Sequence, residues 1–172
     1  MTKIIGSIMI IAAASLLGWK KAADVDRTYE ELQYVQRLLY LLQSEVSYSR
    51  AFLAEAFFNL SHNAREPYQA WMRQLSYCME SRSEGEFEAI WNRTISQYLQ
   101  GSYLPEREIE HLRELGKYLG NADIRTQVRH IELLEEQIGI AMKEMQEELR
   151  TKKKLYYCLG VTGGIFLAII LI

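Results

Sequence analysis

Apolar residues along this chain recur every three or four positions, broken by short polar turns, and this period is the signature of amphipathic helices. Leu32, Val35, Leu39, Leu42 and Val46 make one unbroken stripe. The helix carrying it is expected to start near Asp24 or Thr28, where Thr28-Tyr29-Glu30-Glu31 fits a capping box. A second helix is expected from Ala51 to His62, with Phe52, Leu53, Ala56, Phe57 and Leu60 inward. Pro67 is placed to open a third, along Trp71, Leu75, Cys78 and Met79. Ser83-Glu84-Gly85-Glu86 resembles another capping box, leading through Phe87, Ile90, Trp91 and Ile95 to Tyr98, with Gly101 closing the helix. Pro105 opens a fifth, with Ile109, Leu112, Leu115 and Leu119 inward.

The sixth helix is the long one. Ile124, Val128, Ile131, Leu134, Ile138, Met142, Met145 and Leu149 keep helical spacing from Asp123 to the end of the chain at Ile172. The stripe fits packing within the chain's own bundle, and it also fits a coiled-coil seam with a second copy, so a homo-oligomer stays open. No segment alternates with period two, so the expected fold is all-α: a bundle of about six helices. The turn before the sixth helix contains Gly116, Gly120 and Asp123. Gly120 suits a left-handed C′ position, Asp123 an N-cap, and Gly116 the close approach of a neighbouring helix.

Both ends of the chain are apolar. Residues 155–172 contain no charge, and Arg150, Lys152, Lys153 and Lys154 precede them as membrane-surface cations. A helix of that length rises roughly 27 Å, near the thickness of a bilayer core. The run from Ile4 to Trp19 is slightly shorter. It fits a cleaved signal peptide through Ala12-Ala13-Ala14, but Lys20-Lys21 after it favours a retained span. The expected organisation is therefore a membrane helix in 1–19, a bundle domain in 20–154 and a second membrane helix in 155–172. Lys20, Lys21 and Arg27 flank the first span and the Arg150–Lys154 cluster the second. Positive charge is kept on the cytoplasmic side, which places the domain in the cytosol. Gly160 and Gly164, widened by Gly163, form a Gly-x-x-x-Gly face for packing in the membrane, and Ala14 with Gly18 offers a matching small pair.

Charge and candidate chemistry narrow the function. All but one of the 20 basic residues (Lys3) lie between the spans with all 22 acidic ones, which gives no reason to expect nucleic acid as a partner. Glu108 and His111 have the Glu-x-x-His spacing of di-iron bundles, but such sites need a second pair, and Gln127 stands where His130 would need its carboxylate. Both are expected on a solvated helix face. His62 has no metal-spaced partner, no phosphate-binding glycine loop occurs, and Cys78 and Cys158 make no zinc site. No catalytic, metal-binding or cofactor-binding residues are expected.

The segment Leu41-Leu42-Gln43-Ser44-Glu45-Val46-Ser47-Tyr48, followed by Leu53 and Glu55, resembles the first motif of the stage III sporulation protein AB family. Leu115-Gly116, Leu119-Gly120, Asp123 and Gln127 resemble the second, and Lys152-Lys153-Lys154-Leu155-Tyr156 leading to Leu159-Gly160-Val161 and Gly163-Gly164 resembles the third. Ser49-Arg50-Ala51 departs from the small-residue and proline turn of the first motif. The family's soluble part is similar to a cytoplasmic domain of the type II secretion platform protein, its F component. The resemblance implies a non-enzymatic platform in a channel complex between mother cell and forespore. It implies residence in the mother-cell membrane, with other membrane proteins and a secretion-type ATPase as partners. The alternative is a two-span signal transducer. Such receptors usually hold the bundle outside the cell and an output domain within it.

Overall fold

The computed structural model describes residues 2–48, 53–81, 85–120 and 123–171. Towards both ends, before residue 19 and after residue 146, the helical backbone is described but most side chains are not. Among the described residues there are six helices and no strand: α1 (Thr2–Tyr48), α2 (Leu53–Ser61), α3 (Tyr68–Glu80), α4 (Phe87–Tyr98), α5 (Glu106–Leu119) and α6 (Ile124–Leu171). The chain divides into two compact units. One is Glu31–Ala141, and the other comprises Met1–Glu30 with Met142–Ile172.

The Glu31–Ala141 unit is built on the predicted stripes. Leu32, Val35, Leu39, Leu42 and Val46 are all buried, as are Leu75 on α3, Ile95 on α4, Leu119 on α5, and Ile131 and Ile138 on α6. Removing each such side chain from water contributes roughly 1.5–3 kcal/mol. An aromatic cluster fills the centre: the Trp91 ring centroid lies 4.9 Å from Trp71, 5.7 Å from Phe87 and 5.8 Å from Phe57. Both buried indole nitrogens are satisfied. Trp71 Nε1 donates to Thr94 Oγ1 and Trp91 Nε1 to the Leu112 carbonyl, at 3.1 and 2.7 Å. Along α1 and α6, Gln36 Nε2 donates to the Glu135 carbonyl and Gln43 Nε2 to Glu132 Oε1, at 3.2 and 2.8 Å.

Four helix starts differ from expectation. α1 does not begin at a capping box: Thr28 is interior, and its Oγ1 donates to the Asp24 carbonyl one turn back at 2.9 Å. Nothing between Trp19 and Tyr48 breaks a helix, so it continues. α4 starts at Phe87, with Glu86 as its N-cap rather than inside its first turn. Gly85 at φ 134° holds the chain out of helical geometry just before it. Pro67 and Pro105 are N-caps rather than first helical residues, so α3 and α5 begin one residue later than expected. Ile124, expected inward, is exposed at the start of α6. The junction at 49–52 lies outside the described residues.

Among the described residues, no helix is long and apolar enough to cross a membrane. The two apolar runs, 4–19 and 155–172, fall mostly on positions whose side chains are outside that description.

Candidate functional site

The α5–α6 turn fastens three helices. Gly116 faces the indole of Trp91, where a Cβ would stand 2.7 Å from Cγ and 2.9 Å from Nε1. Before α6, Thr126 Oγ1 donates to Asp123 Oδ1 at 2.6 Å. That bond, followed by backbone N–H groups of the first turn, holds the Asp123 carboxyl below the usual carboxylate range. Gln127 Nε2 then reaches back to the Leu119 carbonyl at 2.6 Å, satisfying an acceptor that the end of α5 leaves free.

Gly120 is a correction. Its φ of −77° and ψ of −39° are right-handed, so it is not a left-handed cap. Its constraint is spatial: a Cβ there would lie 2.7 Å from Phe87 Cβ and 2.9 Å from Phe87 Cδ1. Gly116 and Gly120, one turn apart, form a single smooth strip of α5 on which Trp91 and Phe87 of α4 rest.

Two buried carboxylates were not legible as such. Glu31 accepts from Tyr68 Oη at 2.7 Å and from Arg65 Nη2 at 2.5 Å. The Arg65 guanidinium lies 4.1 Å over the Tyr34 ring, and its backbone N–H donates to Tyr34 Oη at 2.7 Å. This ties α1 to the segment before α3. Burial first, then the Glu31 carboxylate, push the Tyr68 hydroxyl far above the ordinary phenol range. Glu108 is the second. It is 1% exposed rather than solvated, and it accepts from Arg107 Nε and faces His111 Nδ1, each at 2.9 Å. Helical phase would have flagged both: Glu31 precedes Val35 and Leu38, and Glu108 precedes Leu112 and Leu115, at i+4 and i+7 on buried stripes.

Among the described residues, no group of three or more His, Cys, Asp or Glu side chains could hold a metal ion. His130, which the sequence left without a carboxylate partner, stacks on Tyr118 with ring centroids 3.5 Å apart and planes 8° apart. That stack borders an open cleft of about 150 Å³ between α5 and α6, lined by His111, Glu114 and Tyr118 on one side and His130, Leu133 and Gln137 on the other. Leu133, which lines the cleft, is 39% exposed, and Ile140, seven residues further along α6, is 50% exposed.

Ala14, Gly18, Gly160 and Gly164, expected to pack in a membrane, and the cations Arg150, Lys152, Lys153 and Lys154 lie outside the described side chains. At Gly163 a Cβ would meet nothing within 4 Å.

The Glu31 cluster ties α1 to α3, and the domain is an all-α bundle with an open cleft between α5 and α6. The chain belongs to the stage III sporulation protein AB family, whose model matches residues 3–172. Stage III sporulation protein AB of Bacillus subtilis (strain 168) is 21% identical over 171 residues, covering 99% of each chain. Among solved structures, a stage III sporulation protein AB chain matches with a TM-score of 0.63 at 18% identity, over 72% of this chain and 96% of that one. The protein is thus a member of a sporulation family, and the solved structure shares its bundle fold.

Proposed function

We propose that this protein is a non-enzymatic assembly platform in a secretion-like channel complex of endospore formation. It sits in the mother-cell membrane facing the forespore, anchored by helices at 1–19 and 155–172, and presents its bundle to the cytosol. Its partners are other membrane proteins of that complex and a secretion-type ATPase. It works by docking, and the reading includes no cofactor. The observation that carries the proposal is family membership over residues 3–172. The cations beside both apolar runs and the internal use of Glu31 and Glu108 support it.

Deleting the gene in its spore-forming host should arrest development after engulfment. Normal spore yield from the deletion strain would overturn the proposal. Topology is read separately, in a Cys158→Ser background, with Lys117→Cys and Thr2→Cys probed by an impermeant thiol reagent in intact cells. Protection of position 117 with labelling of position 2 is expected. The reverse pattern would put the bundle outside the cytosol.

A further inference from the structure

We infer that the α5–α6 cleft is a docking site for a partner helix that inserts an arginine between Glu114 and the Tyr118–His130 stack. This rests on the platform reading above and names the surface through which the platform acts. The argument begins with the hydrogen-bonding inventory of the cleft. The Glu114 carboxylate is exposed on one wall and can only accept. On the same wall, His111 turns Nδ1 towards the buried Glu108 carboxylate at 2.9 Å. A carboxylate accepts and does not donate, so Nδ1 carries the hydrogen and is engaged by Glu108. The α5 arginines are engaged elsewhere: Arg107 on Glu108, and Arg113 on Ser96 Oγ at 3.0 Å. The cleft therefore offers the Glu114 carboxylate as its acidic acceptor.

The aromatic stack that joins the two walls selects among cations. Tyr118 and His130 lie parallel within 8°, and Tyr118 is 40% exposed, so the stack presents a flat aromatic face. A guanidinium is planar, stacks on aromatic rings and bonds a carboxylate in a two-pronged fork, whereas an ammonium is a hydrated point charge. The cleft, at about 150 Å³, admits one planar head group in place of several waters. Leu133 and Ile140 are seven residues apart on α6 and half-exposed, which is the spacing a second helix covers with its own apolar face. Charge, shape and apolar border thus agree on an arginine-bearing amphipathic helix.

The test uses the full-length protein in sporulating cells, with a photoreactive phenylalanine analogue placed at Leu133 and the crosslinked residue mapped by mass spectrometry. The expected crosslink falls on a helix of another protein within a turn of an arginine. Glu114→Arg should lower its yield about tenfold, and replacing the mapped arginine by glutamate in that background should restore it. Because Glu114 is exposed, the thermal midpoint of Glu114→Arg should match the parent, which separates loss of docking from loss of fold. A crosslink to a second copy of this chain, a crosslinked segment without arginine, no crosslink, or an undiminished yield from Glu114→Arg would each overturn the inference. The platform reading is scored apart from it. If the deletion strain makes no spores while Glu114→Arg makes them normally, the cleft is not the docking site and the platform reading stands.

Discussion

Gly116 and Trp91 share one carbonyl. The indole Nε1 of Trp91 donates to Leu112 O at 2.7 Å, and the ring rests where a Gly116 side chain would be. In a helix the same oxygen receives the Gly116 N–H, four residues on. Gly116→Ala should therefore push the indole off both contacts and destabilise the bundle by about 1–3 kcal/mol, as overpacking does. Chemical denaturation of the detergent-solubilised protein measures it. A loss below about 0.5 kcal/mol would mean that the α4–α5 contact yields freely.

Gly120 gives a paired test of contact against conformation. Gly120→Ala should destabilise by about 1–3 kcal/mol through Phe87, even though its right-handed backbone accepts alanine. Phe87→Ala in the same chain should remove most of the added cost of the alanine, since the two residues are coupled by contact. Additive losses would show that Gly120 is constrained by something other than Phe87.

The Glu31 cluster makes stability depend on alkaline pH. The folded Tyr68 hydroxyl keeps its proton above the ordinary phenol range, while the unfolded chain releases it near pH 10. Its contribution is therefore complete below about pH 10 and lost as pH rises beyond it. Tyr68→Phe should flatten that loss. Glu31→Ala, which leaves the Tyr68 hydroxyl buried without its acceptor, should cost about 1–3 kcal/mol at neutral pH. Denaturation midpoints between pH 7 and pH 11 separate the two effects.

Glu135 acts in the opposite sense to a stabilising ion pair. Burial, then the neighbouring Glu132, push its carboxyl from 4.5 up to about 6, and its Oε1 is buried without a hydrogen-bond partner among the described residues. The folded protein thus holds a proton that the unfolded chain gives up, so stability falls as pH rises from 4.5 to about 6 and stays lower at pH 7. Glu135→Gln should gain no more than about 1 kcal/mol at pH 7, because the side chain is partly solvated and screened. It should gain nothing below pH 4.5. An equal gain at both pH values would assign the effect to packing instead of ionisation.

Helical period carried most of the fold. The stripes from Leu32 to Val46 and from Ile109 to Leu119 are buried as their spacing requires, and α6 runs unbroken from Ile124 to Leu171. What the sequence hid has three physical sources. A capping box such as Thr28 to Glu31 marks a helix start only where the chain also breaks, and here it does not. A glycine after a helix serves a left-handed turn or a close contact, and local sequence alone cannot separate them; Gly120 serves the contact. Glu31 was read as part of a capping box and Glu108 as solvated. Their phase, in step with buried leucines, carried the better information. The α5–α6 cleft was illegible because it depends on how Tyr118 and His130 meet across two helices.

The Trp91 indole proton has a use beyond packing. It sits on a residue 1% exposed, bonded to a carbonyl in the middle of another helix. It meets solvent only when α4 and α5 come apart, so its rate of exchange for deuterium is a clock on that single opening. Its resonance, well separated from backbone amides, would report whether engagement of the cleft on the far side of α5 tightens the bundle or loosens it.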